Sequence, residues 1–337
     1  MIVDAKVLSL KIASTAIVTL NRPSKLNVLD EDMIDALTSS FNEFLGDDQV
    51  KKLIIQSSSE KAFCAGGDVV SVVKGINEGR DVDFFFKKEY AFDQGLYRAA
   101  KPVFVIAEGF VFGGGLGIFS AAQSRVCSEN AVFCMPEVTI GFFPDVASSF
   151  FLQRVPKPWR LLMGLCGARI KASWALELGL VDNVFRKGLA SEVSRCIQAD
   201  SLIDEPLLAS ATQEDLQEMR AISKIIEPLQ LMSSIGEFHE WVMHSRDTLK
   251  HPYILACLET YLKGSRLSSF ITWRLFEWSL GKSVEECFEM DLELSRLLGK
   301  DLDFHEGVRA LLIDKDKSPK FRFNSYETIE ESFVMPF

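Results

Sequence analysis

No stretch of about 18 consecutive apolar residues occurs in this sequence, so no membrane-spanning helix is expected. Histidine is scarce, at four residues, and no G-x-S-x-G is present, which leaves a Ser–His triad without support. C-x-x-C is also missing. The seven cysteines (Cys64, Cys127, Cys134, Cys166, Cys196, Cys257 and Cys287) are scattered and odd in number, as reduced thiols in a reducing compartment would be. Neither G-x-G-x-x-G nor a Walker Lys-Ser/Thr follows the glycine runs, which argues against a dinucleotide or P-loop site. Positive charge is in deficit: 37 Lys and Arg stand against 47 Asp and Glu, a net charge of −10. Direct nucleic-acid binding would want the opposite balance. The pair in "HEWVMH" (239–244) is spaced i, i+5, which places the two imidazoles on different sides of a helix, so no metal site is expected. No internal repeat or low-complexity linker is visible. The opening "MIVDAKVLSLKIASTAIVTLNRP" reads as strand rather than presequence, and "VMPF" is not a peroxisomal tripeptide. A cytosolic or already processed chain is the expectation.

What is present is a globular composition: 337 residues, 47% hydrophobic and 25% charged. "STAIVTLNRP", "KKLIIQSS" and "KPVFVIAEG" read as short apolar strands, and "SRVCSENAVFCMPE" adds strand material. Between the first two lies "LDEDMIDALTSSFNEFL". Asp30 suits its N-cap, Glu31 and Asp32 suit the positive helix end, and Met33, Leu37, Phe41 and Phe44 form one stripe. Strands alternating with helices predict an α/β core over 1–190. Beyond about Phe185 the period is almost continuously helical, which predicts a helical C-terminal domain over 191–337.

Two glycine-rich strand ends carry the first chemical signal. "AFCAGGD" (62–68) lets backbone approach a ligand closely. "GGGLG" (113–117) follows a strand and opens an apolar helix, leaving backbone N–H groups unpaired at a positive helix end. Each could donate one N–H to a single carbonyl oxygen. The second signal is "FCMPEVTIGFFPDVASSFF" (133–151), an apolar segment with two carboxylates, Glu137 and Asp145. Acids without a basic neighbour are costly to bury, so they sit at a solvated rim or line a working cleft. Gly141 and Pro144 interrupt any helix between them, so a loop can bring both acids to one place.

The succession "LNRPSKLNVL", "KAFCAGGD", "GFVFGGGLGIF", "MPEVTIGFFPD" and "ASWALELGLVD" resembles the enoyl-CoA hydratase/isomerase (crotonase) superfamily over nearly the whole chain. Within it, the resemblance is to the branch that hydrolyses CoA esters of short branched 3-hydroxy acids, of the 3-hydroxyisobutyryl-CoA type, in valine breakdown. Hydratases carry one glutamate just after the triple glycine and one in the Pro-Glu motif; here the first position is Gly117. Where hydratases have glycine after the second motif, this chain has Asp145, as the hydrolases do. "FFFKKEY" (84–90) and "DFHEGVRALLIDKDKSP" (303–319) also look like signatures of that branch.

The resemblance implies a crotonase-type ββα spiral followed by helices. It implies an oxyanion hole from the N–H groups of Ala65 and Gly114, with Gly66, Gly67, Asp68 and Glu89 binding substrate. Glu137 would attack the thioester or activate water, and Asp145, with Glu89, would share proton transfer. CoA arrives as part of the substrate, so no cofactor and no metal are implied. The acyl-CoA is the expected partner, with a homo-oligomer and a mitochondrial matrix location also implied. One departure is "ASS" (147–149) where the family has glycines, so that side chains at Ala147 and Ser148 could crowd the pocket. That departure keeps a second function open, a structural subunit bound to mitochondrial ribosomal proteins. An isomerase or dehalogenase of the same fold is a third.

Overall fold

The computed structural model describes residues 5–332 and 336. The chain begins β1 (Val7–Ile12), β2 (Thr15–Leu20), α1 (Glu31–Gly46), β3 (Lys52–Ser57), β4 (Ala62–Cys64), α2 (Val69–Asn77) and α3 (Phe86–Tyr97). It continues through β5 (Val103–Ala107), β6 (Phe110–Phe112), α4 (Gly114–Ala121), β7 (Ser124–Ser128) and β8 (Val132–Cys134). After a 3-10 turn at Glu137–Ile140 come α5 (Ser148–Phe151), α6 (Lys157–Cys166), β9 (Ile170–Lys171), α7 (Ala172–Glu177), β10 (Asn183–Phe185) and α8 (Ala190–Gln198). The rest is helical: α9 (Gln213–Ile226), α10 (Ile235–Thr248), α11 (Pro252–Lys263), α12 (Arg266–Trp278), α13 (Val284–Leu298), α14 (Leu302–Val308) and α15 (Tyr326–Ser332).

Compactness divides the chain into two interleaved units, one of 1–68, 87–133 and 170–216, the other of 69–86, 134–169 and 217–337. They are not the two consecutive stretches, 1–190 and 191–337, that the change of period suggests. The reason is visible at α8. Its Val193 and Ile197 pack into a core with Ile17, Ile54, Ile106, Val126 and Phe185 from the sheet, so this helix belongs with the strands before it.

The first unit holds a six-stranded sheet in the order β1-β2-β3-β5-β7-β10 and a four-stranded sheet in the order β4-β6-β8-β9. In the larger sheet only β1–β2 is antiparallel; β2–β3, β3–β5, β5–β7 and β7–β10 are parallel. Three consecutive turns of chain place one strand in the large sheet and the next in the small one: β3 then β4, β5 then β6, β7 then β8. That is the ββα spiral. Parallel strands buried on both faces want continuous apolar runs, which "KLII" and "VFVIA" provide. The helix expected over the stretch from Glu31 forms with Asp30 as N-cap, its side chain accepting the Met33 N–H, and with Met33, Leu37, Phe41 and Phe44 buried.

In the second unit, aromatic rings anchor the segment that carries the two acids. Phe142 stacks on Phe86 with centroids 5.1 Å apart and leans on Phe304 at 4.9 Å. The "DFHEG" stretch presses backbone against backbone here. A side chain at Gly141 would meet the Asp303 carbonyl oxygen at 2.2 Å, and one at Gly307 would meet the Ile140 carbonyl carbon at 2.3 Å. The signature after Asp303 thus shapes the turn on which Glu137 sits.

Candidate active site

The candidate groups of the first unit are backbone N–H groups. β4 and β6 are adjacent parallel strands, so the loop 65–68 and the start of α4 emerge side by side from their C-terminal ends. The loop after β2 braces this end. Asn27, fully buried, donates through Nδ2 to the carbonyls of Ala62 and Phe63 and to Ser57 Oγ, while its Oδ1 accepts the Arg22 N–H at 2.7 Å.

Ala65 is not one of the open donors. Its N–H donates to the Leu26 carbonyl at 3.1 Å, so the expectation of Ala65 in an oxyanion hole is corrected. The Gly66 N–H points to Cys64 Sγ at 3.4 Å and the Asp68 N–H donates to the Leu29 carbonyl at 2.8 Å. Gly67 forms a parallel bridge with Leu29, made by the groups on either side of it, so its own N–H is directed away from Leu29. Among the described residues that N–H has no protein acceptor. Gly114, the first residue of α4, is the second open donor, with no side-chain cap supplied by Gly113. Gly67 was read from sequence as a substrate-contacting residue; bridge geometry, which no motif spells out, leaves its N–H open where that of Ala65 is taken up.

Glu89, on α3, lies beside this helix start. It is 4% exposed, and a Cβ at Gly114 would come within 2.2 Å of its Oε1. Only glycine leaves room for both the carboxyl and the helix end. Asp93, one turn further along α3, is wholly buried, and with Glu89 it adds negative charge near the Cys64 thiol. Desolvation does most to push that thiol up to about 12, which makes it an inert packing group. Gly117 is buried on α4 where a hydratase would present its first glutamate.

The candidate groups of the second unit, taken by itself, are carboxyls. Glu137 opens the 3-10 turn after Pro136 and is 7% exposed; Asp145 is 6% exposed. Burial raises the Glu137 carboxyl well above its usual range, and the negative charge of Asp145 raises it further. Among the described residues its buried Oε2 has no hydrogen-bond partner. Burial and the neighbouring like charge both favour the protonated form of Glu137. A third acid, Asp291 on α13, was missed in the sequence. It is fully buried, its Oδ2 accepts the Ala147 N–H at 2.7 Å, and Asp145 lies within reach of its charge. It stands 144 residues from Ala147 in a plain helical stretch, so nothing in its local sequence marks it.

Ala147 and Ser148 are both completely buried. Ala147 adopts a left-handed conformation with φ 56°, one that glycine enters more readily than alanine. Ser148 Oγ donates back to the Pro144 carbonyl at 2.5 Å rather than projecting elsewhere. No helix among the described residues is long and apolar enough to cross a membrane.

Comparison with known proteins gives the family and the fold. The family model described as enoyl-CoA hydratase/isomerase matches residues 15–337. A 3-hydroxyisobutyryl-CoA hydrolase from Danio rerio, named mitochondrial, is 31% identical, covering 98% of this chain and 88% of its own. 3-Hydroxyisobutyryl-CoA hydrolase 1 of Arabidopsis thaliana is 32% identical, covering 96% of this chain and 88% of its own. Among solved structures, an enoyl-CoA hydratase from Rhodobacter sphaeroides 2.4.1 is 25% identical with a TM-score of 0.85, covering 96% of this chain and 94% of that one. A carnitinyl-CoA dehydratase from Mycobacterium thermoresistibile is likewise 25% identical at TM-score 0.85, covering 99% and 98%. The reading as a ribosomal assembly subunit gains no support from these relatives. The chain belongs to the enoyl-CoA hydratase/isomerase family, in the branch of the 3-hydroxyisobutyryl-CoA hydrolases.

Proposed function

We infer that the chain hydrolyses the CoA thioester of a short branched 3-hydroxy acid, 3-hydroxyisobutyryl-CoA, to the free acid and CoA. The observation that carries this reading is the acid inventory: Glu137 and Asp145 are buried within reach of each other's charge, while Gly117 stands where hydration would need a second glutamate. Hydrating a double bond takes an acid and a base at two positions, and here one of them lacks a functional group. Cleaving a thioester takes a nucleophile or base and a place for negative charge.

The N–H groups of Gly67 and Gly114 hold the thioester oxygen as it gains charge, each worth about 10²–10³ in rate. Glu137 supplies the carboxylate. Out of water it is a stronger base and nucleophile than an exposed one. It either attacks the carbonyl carbon, forming an anhydride that water then opens, or takes a proton from the attacking water. In both routes the carbon–sulfur bond breaks, the thiolate leaves and takes up one proton, and one water is consumed. Asp145, within reach of Glu137, shares in proton transfer. Glu89 bears on the Gly114 end of the oxyanion site, and Gly66 and Asp68 shape the loop that presents Gly67. Nothing beyond water and the substrate enters this chemistry. The mitochondrial names of the relatives support a matrix location.

The test is thiol release from a panel of short acyl-CoA esters, run beside hydration of a short enoyl-CoA. Release of CoA from the 3-hydroxyisobutyryl ester, with no measurable hydration, supports the reading. Hydration without thiol release overturns it.

A further inference from the structure

Asp145 is carried by a turn that its side chains disfavour. Val146 and Ala147 both have positive φ, 51° and 56°. A left-handed conformation is costly for a non-glycine residue, and a β-branched valine is among the least suited to it. Two such residues in succession need an external restraint. The Ser148 N–H bond to the Asp145 carbonyl at 2.9 Å and the Ser148 Oγ bond to the Pro144 carbonyl are local, so they move with the turn. The Ala147 N–H is different: it is held by Asp291 Oδ2 at 2.7 Å, from the middle of α13.

We propose that Asp291 is a positioning residue for the hydrolysis: by holding the Ala147 N–H it locks the Val146–Ala147 turn and so fixes the direction of the Asp145 carboxyl. The proposal rests on the role of Asp145 in thioester cleavage. Asp291 does this as the neutral acid. Among the described residues its other oxygen, Oδ1, is buried with no hydrogen-bond partner, an arrangement far costlier for an ionised carboxylate than for a neutral acid. Asp145, of the same sign, lies within reach, and burial together with that charge favours the protonated form. One turn back on α13, the Cys287 thiol is pushed up to about 11 and stays neutral too. A neutral acid keeps one acceptor for Ala147 without adding a second negative charge beside Asp145.

Asparagine has the same shape, the same acceptor and no charge, so it separates this role from an acid–base one. In the full chain, D291A is expected to lower kcat at least tenfold with KM within about threefold, and to speed hydrogen–deuterium exchange in a peptide covering 143–150. D291N is expected to keep kcat within about threefold and to keep that protection. If D291A turns over like the wild type, or if D291N is as impaired as D291A, the proposal is wrong. Should D291A fail to fold, D291N decides alone: retained kcat supports the lock and a tenfold loss overturns it. If the wild type releases no CoA from any ester, the hydrolase reading fails first. Exchange then still decides on the lock, since unchanged protection in D291A removes it and lost protection restored by D291N upholds it.

Discussion

Adding one methyl group at Gly114 should disable the reaction while leaving substrate recognition largely intact. The Cβ of Gly114→Ala would stand 2.2 Å from Glu89 Oε1 and 3.5 Å from Leu29 Cδ1. Ordinary contact between carbon and oxygen needs a little over 3 Å, so one partner must retreat by about 1 Å. Glu89 is 4% exposed and has little space to do so. The start of α4, with its open N–H, gives way as well. A displacement of that size costs about 10² in rate when it misplaces a catalytic group, and loss of one oxyanion donor costs about 10²–10³. The expected result is a fall in kcat of at least about 10² with KM within threefold, because the donor acts mainly on charge that develops in the transition state. The assay is steady-state release of CoA. Gly46→Ala is the control: nothing lies within 4 Å of its Cβ, and it should match the wild type. A Gly114→Ala enzyme within threefold of wild-type kcat would refute the oxyanion assignment. An equal loss in binding and in rate would mean simple exclusion of the substrate.

Asp145→Gly should abolish hydrolysis and leave CoA-ester affinity within a few-fold by calorimetry, and it should not create a hydratase, because Gly117 still offers no second acid; appearance of hydratase activity would contradict the account. The raised Glu137 carboxyl gives a pH dependence: its reactive form grows as pH rises through its folded value, so kcat should climb from acid pH toward neutral and above. The same raised value means that Glu137 favours the folded state below its unfolded pKa and that this contribution is lost as pH rises through the folded one. Glu137→Gln should therefore raise Tm more at pH 8 than at pH 5, by about 2–4 °C per kcal/mol recovered. Six of the seven cysteines are buried and Cys196 is partly exposed, so brief alkylation of the native protein, read by mass spectrometry, should modify Cys196 first and spare activity.

The sequence made some of these features legible because they are local. The Asp30 cap, the stripe on α1 and the glycines before α4 are written in short windows whose physical cause lies inside the window. The acids at 137 and 145 stood out because they interrupt an apolar run. What was not legible depends on distant chain. Ala65 and Gly67 look equivalent as glycine-loop residues until Leu26 and Leu29 are seen taking up the neighbouring N–H groups. Asp291 sits in an ordinary helical stretch and acquires meaning only by meeting Ala147. The boundary near 190 misled for a related reason: α8 has a helical period like those after it, but its buried face belongs to the sheet. Periodicity reports which face is buried and not which partner covers it.

The central claim is that Glu137 carries out thioester cleavage of 3-hydroxyisobutyryl-CoA. The direct measurement is CoA release from that ester by the wild type and by Glu137→Gln, side by side, with substrate binding followed separately. The account predicts release by the wild type and a loss of about 10² or more in the variant, with binding retained. A variant within threefold of the wild type would contradict it.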